Sequence, residues 1–164
     1  MKTLLLLRHA KSSREDPSLQ DFDRPLNERG KKDAPLIGKY ARKQKIKGDL
    51  IISSPAERAR QTAELFLKSA GPKVELRFDK QIYEASIRRL LSVISQIEDT
   101  VNTVIMVGHN PGFEELLEDL TGEARDLPTA SLACIELSVE KWSKVRTGMG
   151  DLKWLVTPKE LRDS

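Results

Sequence analysis

The sequence predicts an α/β fold, a three-layer αβα sandwich whose mostly parallel central sheet carries helices on both faces. Two observations predict it. Short apolar runs of strand length alternate with longer amphipathic segments along the 164 residues, the pattern of successive strand–helix–strand units. The strand runs are also apolar at consecutive positions, Leu4–Leu7 foremost, as strands covered on both faces require.

The elements follow in order. Thr3–Leu7 is the first strand, and its apolar character stops at Arg8. Ala10–Leu26 is mostly polar, contains Pro17 and Pro25, and reads as a long loop. Asn27 suits an N-cap for a helix over Asn27–Gln44. Within it Pro35 lacks an N–H and crowds the preceding turn, so a kink or a start delayed to about Asp33 is expected. Asp49–Ser53 is a second buried strand. Pro55–Ser69 reads as a helix with Ser54 as cap and Pro55 at its first position, stopped by Gly71-Pro72. Val74–Phe78 alternates with the strand period. Ser86–Ile97 places Ile87, Leu90, Leu91, Val93, Ile94 and Ile97 at helical spacing. Thr103–Val107 is a fourth strand, followed by a helix from about Pro111 to Leu120. Ser131–Ser138 and Lys153–Val156 are two further strands, and Trp142–Thr147 extends the first of these or forms its own. Neither a repeat nor a linker interrupts the pattern, so residues 1–164 are expected to form one domain.

Composition narrows the function. Hydrophobic residues at 38% and charged residues at 32% describe an ordinary globular chain. The single cysteine, Cys134, permits no internal disulfide and lies in an apolar run, where a small buried thiol fits. The leucines after Lys2 imitate a signal core, but Arg8 ends them short of the ~7–15 apolar residues one needs. Nothing approaches the ~20 residues of a membrane span. A cytoplasmic location and no membrane partner are therefore expected. The net charge of +3 favours anionic ligands. Its cations at Lys39, Arg42, Lys43, Lys45 and Lys47 suit a helix C-terminus, and no stacking aromatics interleave them, so no nucleic-acid partner is expected.

Ligands of open α/β sheets bind beyond the carboxyl ends of the strands. The first strand ends in Arg8-His9, the second runs into Ser53-Ser54-Pro55 with Arg58 one turn on, the third leads to Tyr83-Glu84, and the fourth ends in Gly108-His109-Asn110-Pro111-Gly112. Both histidines of the chain thus fall on one sheet edge. Singly, each residue has a plainer reading: a structural histidine, an exposed Arg58 with Arg60 as equal rival, a Glu84 paired with Arg88, glycines that shape a turn. Together, two arginines and two histidines around one pocket are costly unless an anion neutralises them. A phosphoryl group fits: forked guanidinium donors from Arg8 and Arg58, a His9 imidazole kept neutral and nucleophilic by neighbouring positive charge, and a protonated His109 stabilising the equatorial oxygens. The helix beginning near Pro55 adds its N-terminal dipole. Two histidines and one buried cysteine at no recognised ligand spacing argue against zinc, and no HExxH, P-loop or Gly-x-Ser-x-Gly motif occurs. Neither metal nor cofactor is expected.

These residues resemble the histidine phosphatase superfamily, the phosphoglycerate mutase-like family, over nearly the whole chain. Leu7-Arg8-His9-Ala10 corresponds to its Arg-His-Gly signature, Ser54–Ala63 resembles its second motif, and Gly108-His109-Asn110-Pro111 resembles the segment bearing its second histidine. The runs Arg8–Ser13 and Asp21–Gly30 are similar to the SixA-type phosphohistidine phosphatases. The resemblance implies a phosphoglycerate mutase-like fold, transfer of the phosphoryl group to His9, and hydrolysis by water without a metal. It implies that Arg58 rather than Arg60 holds phosphate, and that Arg8, His9, Arg58, His109 and Glu84 form the catalytic set. Ala10 replaces the signature glycine, which disfavours a left-handed backbone there. Glu84 stands where the wider family keeps a general acid, and protonating an ester oxygen, protonating an imidazole and orienting water all remain open to it. Ser12 matches a phosphate-loop position or caps the loop; Arg24 reaches substrate or anchors the loop; Asn110 adjoins the bound group. The short segment after Glu84 implies an open site that admits a phosphohistidine carried by a protein. Small phosphate esters or sugar phosphates are the alternative substrates, and the oligomeric state is open.

Overall fold

The structure, a computed structural model, describes residues 1–71 and 73–164. Its central strand is β1 (Lys2–Arg8), with Leu4–Leu7 buried on both faces. Around it run β2 (Leu50–Ser53), β3 (Glu75–Phe78), β4 (Thr103–Gly108), β5 (Leu132–Leu137) and β6 (Gly150–Val156), in the sheet order β3-β2-β4-β1-β5-β6. The β1–β4, β4–β2 and β2–β3 pairs are parallel, whereas β5 is antiparallel to both β1 and β6. The expected mostly parallel sheet is thus present, with one reversed strand.

Alternation of side chains along the strands divides the core into two layers. Leu4, Leu6, Val104 and Met106 face α3 (Ile87–Ser95) and α4 (Gly112–Thr121). Leu5, Leu7, Ile105 and Val107 face α1 (Glu28–Lys43) and α2 (Glu57–Ala70). The helices lie on both sides of the sheet, in the three layers the apolar runs imply.

Several elements depart from the sequence reading. Pro35 neither breaks nor delays α1, because Asn27 caps it through Gly30 N–H at 2.9 Å. Its buried face of Ala34, Ile37, Gly38 and Ala41 outweighs the one backbone bond that proline removes. Helix α2 starts two residues later than expected: Ala56 is its N-cap, and Ser54 instead accepts the Ala56 N–H at 3.2 Å from outside the helix. Gly71, at φ 91°, ends α2 as a left-handed cap, while the expected Pro72 stop lies outside the described residues. Trp142–Thr147 is neither a strand nor an extension. A 3-10 turn over Trp142–Lys144 buries the indole completely and lets its N–H reach Val101 O at 2.7 Å. Helix α5 (Pro158–Asp163) is unforeseen, although Thr157 capping Glu160 N–H with proline at the first turn is a readable start signal.

No helix among the described residues is long and apolar enough to cross a membrane.

Candidate active site

Adjacent parallel strands bring the two histidines together. β1 and β4 pair in register with Arg8 opposite Gly108, and the next residues of both strands are His9 and His109. Their ring centroids are 5.2 Å apart, and they are only 7% and 8% exposed. The backbone enforces this closeness, since His9 N–H donates to Gly108 O at 3.0 Å.

The His9 ring is oriented by its own loop. Nδ1 lies 2.7 Å from Ala10 O. A carbonyl only accepts, so Nδ1 carries the proton and Nε2 keeps its lone pair. Burial first, then the charges of His109, Arg58 and Arg8, lower the His9 pKa to about 3 against the lift of that backbone bond. The imidazole is held neutral, with desolvation rather than the neighbouring charge expected from sequence as the larger cause. Ala10 is fully buried, and its N–H donates to Thr62 Oγ1 at 2.9 Å. Thr62 in turn donates to Arg58 O at 2.7 Å, tying the nucleophile's loop to α2.

His109 is held differently. Nε2 lies 2.8 Å from Ser54 Oγ. Ser54 accepts the Ala56 N–H and can donate its own proton to Nε2, the arrangement that puts the ring proton on Nδ1. Burial, then Arg58, lowers the His109 pKa to about 4. His109 is therefore held neutral, not protonated as its expected role supposed. Desolvation outweighs the attraction of Asp21. In that tautomer neutral His109 offers an Nδ1–H donor.

Arg58 is 6% exposed, whereas Arg60 lies on the helix surface between Glu57 and Glu64. Arg58 Nη1 donates to Asp21 O at 2.7 Å and Nη2 to Asp21 Oδ2 at 3.0 Å. Arg8 Nη1 donates to Leu127 O at 2.9 Å. Among the described residues, the buried side-chain polar atoms left without partners are Arg8 Nε, Arg58 Nε, His109 Nδ1 and Ser131 Oγ. Ser131 joins this set through the sheet, its carbonyl accepting the Arg8 N–H at 3.1 Å. Orphaned buried polar atoms are rare and costly, and three of these residues, Arg8, Arg58 and His109, all act electrostatically on His9. Unpaired cationic donors of this kind can hold an oxyanion.

The remaining expected residues divide. Glu84 is exposed and lines a cleft of about 410 Å³ with Asp21, Arg58, Tyr83 and His109. Its backbone is held at φ 53°, a left-handed conformation costing about 1–2 kcal/mol outside glycine, and no ion pair joins it to Arg88 among the described residues. Ser12 Oγ accepts from Arg24 Nη1 at 2.7 Å, and Arg24 also grips Asp21 Oδ1 at 2.9 Å. Both residues thus anchor the loop. Asn110 is likewise engaged, donating to Leu127 O at 3.0 Å and accepting from Glu114 N–H at 3.3 Å. Among the described residues no three His, Cys, Asp or Glu side chains converge in a metal-binding arrangement.

Asp21 escapes the sequence reading. Its carboxylate accepts from Arg58, Arg24 and, at 2.6 Å, Tyr83 OH, and these donors hold its pKa far below the ordinary carboxylate range, Tyr83 first. Tyr83 stacks edge-on against His109 with centroids 5.5 Å apart. Asp21 therefore fastens the long loop to α2 and to the wall of the cleft.

Residues 4–89 match the model of the histidine phosphatase superfamily, branch 1. An uncharacterized chloroplastic protein of Arabidopsis thaliana is 31% identical over 93% of this chain and 74% of its own length. Among solved structures, the Agrobacterium tumefaciens protein assigned as phosphohistidine phosphatase SixA superposes with a TM-score of 0.82 at 32% identity, covering 96% of this chain and 98% of that one. A protein histidine phosphatase SixA complexed with tungstate gives 0.84 at 21% identity over 97% and 99% of the two chains, a likeness of fold.

Proposed function

Because the chain belongs to the histidine phosphatase superfamily, we propose that it is a phosphohistidine phosphatase whose His9 Nε2 carries the phosphoryl group between two transfers. The observation that carries this reading is a set of three buried, unpartnered atoms, Arg8 Nε, Arg58 Nε and His109 Nδ1, on residues whose charges act on a histidine with its free nitrogen at Nε2. Whole-chain likeness at 32% identity to the Agrobacterium tumefaciens protein supports the substrate class.

In the first transfer, the Nε2 lone pair attacks phosphorus in line. The bond from phosphorus to the substrate's imidazole nitrogen breaks, and its electron pair stays on that nitrogen. Because one N–P bond replaces another, little acid assistance is needed. Glu84, on the cleft wall, supplies the leaving group's proton. Arg8 and Arg58 neutralise the three equatorial oxygens, and His109 Nδ1–H donates to one of them as charge spreads there. In the second transfer, water attacks phospho-His9, its proton passes to Glu84 or to solvent, and inorganic phosphate departs while Nε2 recovers its electron pair. The positive cradle needs no metal to balance phosphate charge. Residues 1–164 act as one domain, and the single buried thiol, Cys134, raised by burial to a pKa of about 11, stays inert in a reducing cytoplasm.

Turnover of a histidine-phosphorylated protein should exceed turnover of p-nitrophenyl phosphate and sugar phosphates, measured as kcat/KM for each. Faster hydrolysis of the esters would assign the site to small phosphate esters instead.

A further inference from the structure

A second cleft adjoins the site and differs from it in kind. It encloses about 520 Å³ between the N-terminal turn of α1, the segment around Pro128-Thr129, and α5. Lys11, Arg29, Lys159 and Arg162 line it, with Asp33 as the one carboxylate. Asp33 is buried and already paired with Arg162. Among the described residues Lys11, Arg29 and Lys159 are exposed and make no ion pair. The cleft thus carries an excess of three positive charges, as large as the surplus of the entire chain.

Its walls are wired to the nucleophile. Lys11 is two residues beyond His9, and Lys11 O accepts the Asn27 N–H at 3.0 Å. Gly30 lets α1 approach so closely that a Cβ there would clash with Lys11 O. On the other side, Ala130 N–H donates to His9 O at 3.0 Å, one residue after Thr129. Backbone bonds therefore fix the cleft relative to His9, so a body touching both meets a rigid surface.

We propose that this cleft docks an acidic segment of the phosphoprotein whose phosphohistidine enters the active site. The inference rests on the phosphohistidine reading above and extends it to the surface around the modified residue. Three uncompensated cations select an acidic surface and speed encounter, because charge at an interface rim acts on association and on partner choice. The cleft shares no lining residue with the one bounded by Arg58, Glu84 and His109, so a free phosphohistidine or a small ester bound in the latter leaves it untouched.

The test uses the full chain and its double variant R29E/K159E, both changes on exposed helix or helix-proximal positions outside the catalytic set. Two substrates are compared: N-phosphoimidazole, and a protein phosphorylated on a histidine flanked by acidic side chains. The variant should raise KM for the phosphoprotein about tenfold and flatten its salt dependence, with kcat/KM for phosphoimidazole unchanged. An unchanged KM for the phosphoprotein, while the wild type turns over both substrates, overturns the docking surface alone. A wild type inert on both substrates removes the phosphohistidine reading itself. A raised KM for a small bisphosphorylated ester with none for the protein overturns docking in favour of a small-ligand subsite.

Discussion

The ends of β1 and β4 make an instructive pair. Each presents one histidine beyond a parallel strand, each ring is less than a tenth exposed, and each pKa is depressed mainly by burial. Their ring nitrogens are used in opposite senses. His9 spends Nδ1 on its neighbour's carbonyl and leaves a bare Nε2, whereas His109 spends Nε2 on Ser54 and leaves Nδ1. A carbonyl partner dictates a lone pair at the far nitrogen; a hydroxyl partner that can donate permits a proton there. The contrast teaches that the hydrogen-bond partner of each ring, more than its depth or its electrostatic surroundings, separates a ring with a bare nitrogen from one free to present an N–H.

Breaking the pair should therefore give unequal losses. His9→Ala should abolish phosphoenzyme formation and all turnover above background, read by acid-labile label on the protein and by phosphate release. His109→Ala should slow turnover about 10²–10³-fold, the usual cost of one oxyanion donor, while labelled His9 still accumulates. Equal losses, with no label in the second variant, would erase the distinction. The pH profile sharpens it with a smaller effect. An ordinary histidine, with a pKa of about 6.5, would lose most of its neutral form below pH 6. With folded values near 3 for His9 and near 4 for His109, kcat/KM should show no limb from these groups between pH 7 and 5 and should fall only as pH drops through about 4. Stability responds over a wider window. The unfolded chain binds protons on both histidines from about pH 6.5 downward. The folded chain resists until the lower values, so unfolding becomes easier as pH falls through that interval. A kcat/KM limb near pH 6.5 that is absent from His109→Ala would contradict the burial of that ring.

How far the fold was readable follows from the same local logic. Leu4–Leu7 and Thr103–Val107 declare buried parallel strands, and residues just past such strands lie on one edge by topology, so Arg8, His9 and His109 could be placed together before any coordinates. Arg58 follows from its motif. Asp21 could not be found this way, because its partners Arg58 and Tyr83 are 37 and 62 residues distant and a polar loop of many carboxylates marks none of them. The charge state of His109 also escaped, since desolvation depends on packing that no motif records. Pro35 misled because a local rule was applied where a buried helix face decides. Trp142–Thr147 misled because two apolar residues, Trp142 and Val145, set in a short polar stretch suit an edge strand and a buried turn equally.

The central claim is that the lone pair on Nε2 of residue 9 is the phosphoryl acceptor. Trapping the phosphoenzyme with ¹⁵N-labelled histidine and recording nitrogen–phosphorus coupling by NMR tests it directly. The expected spectrum shows phosphorus bonded to Nε2 of His9. Coupling to Nδ1, to His109, or to no histidine would contradict the account.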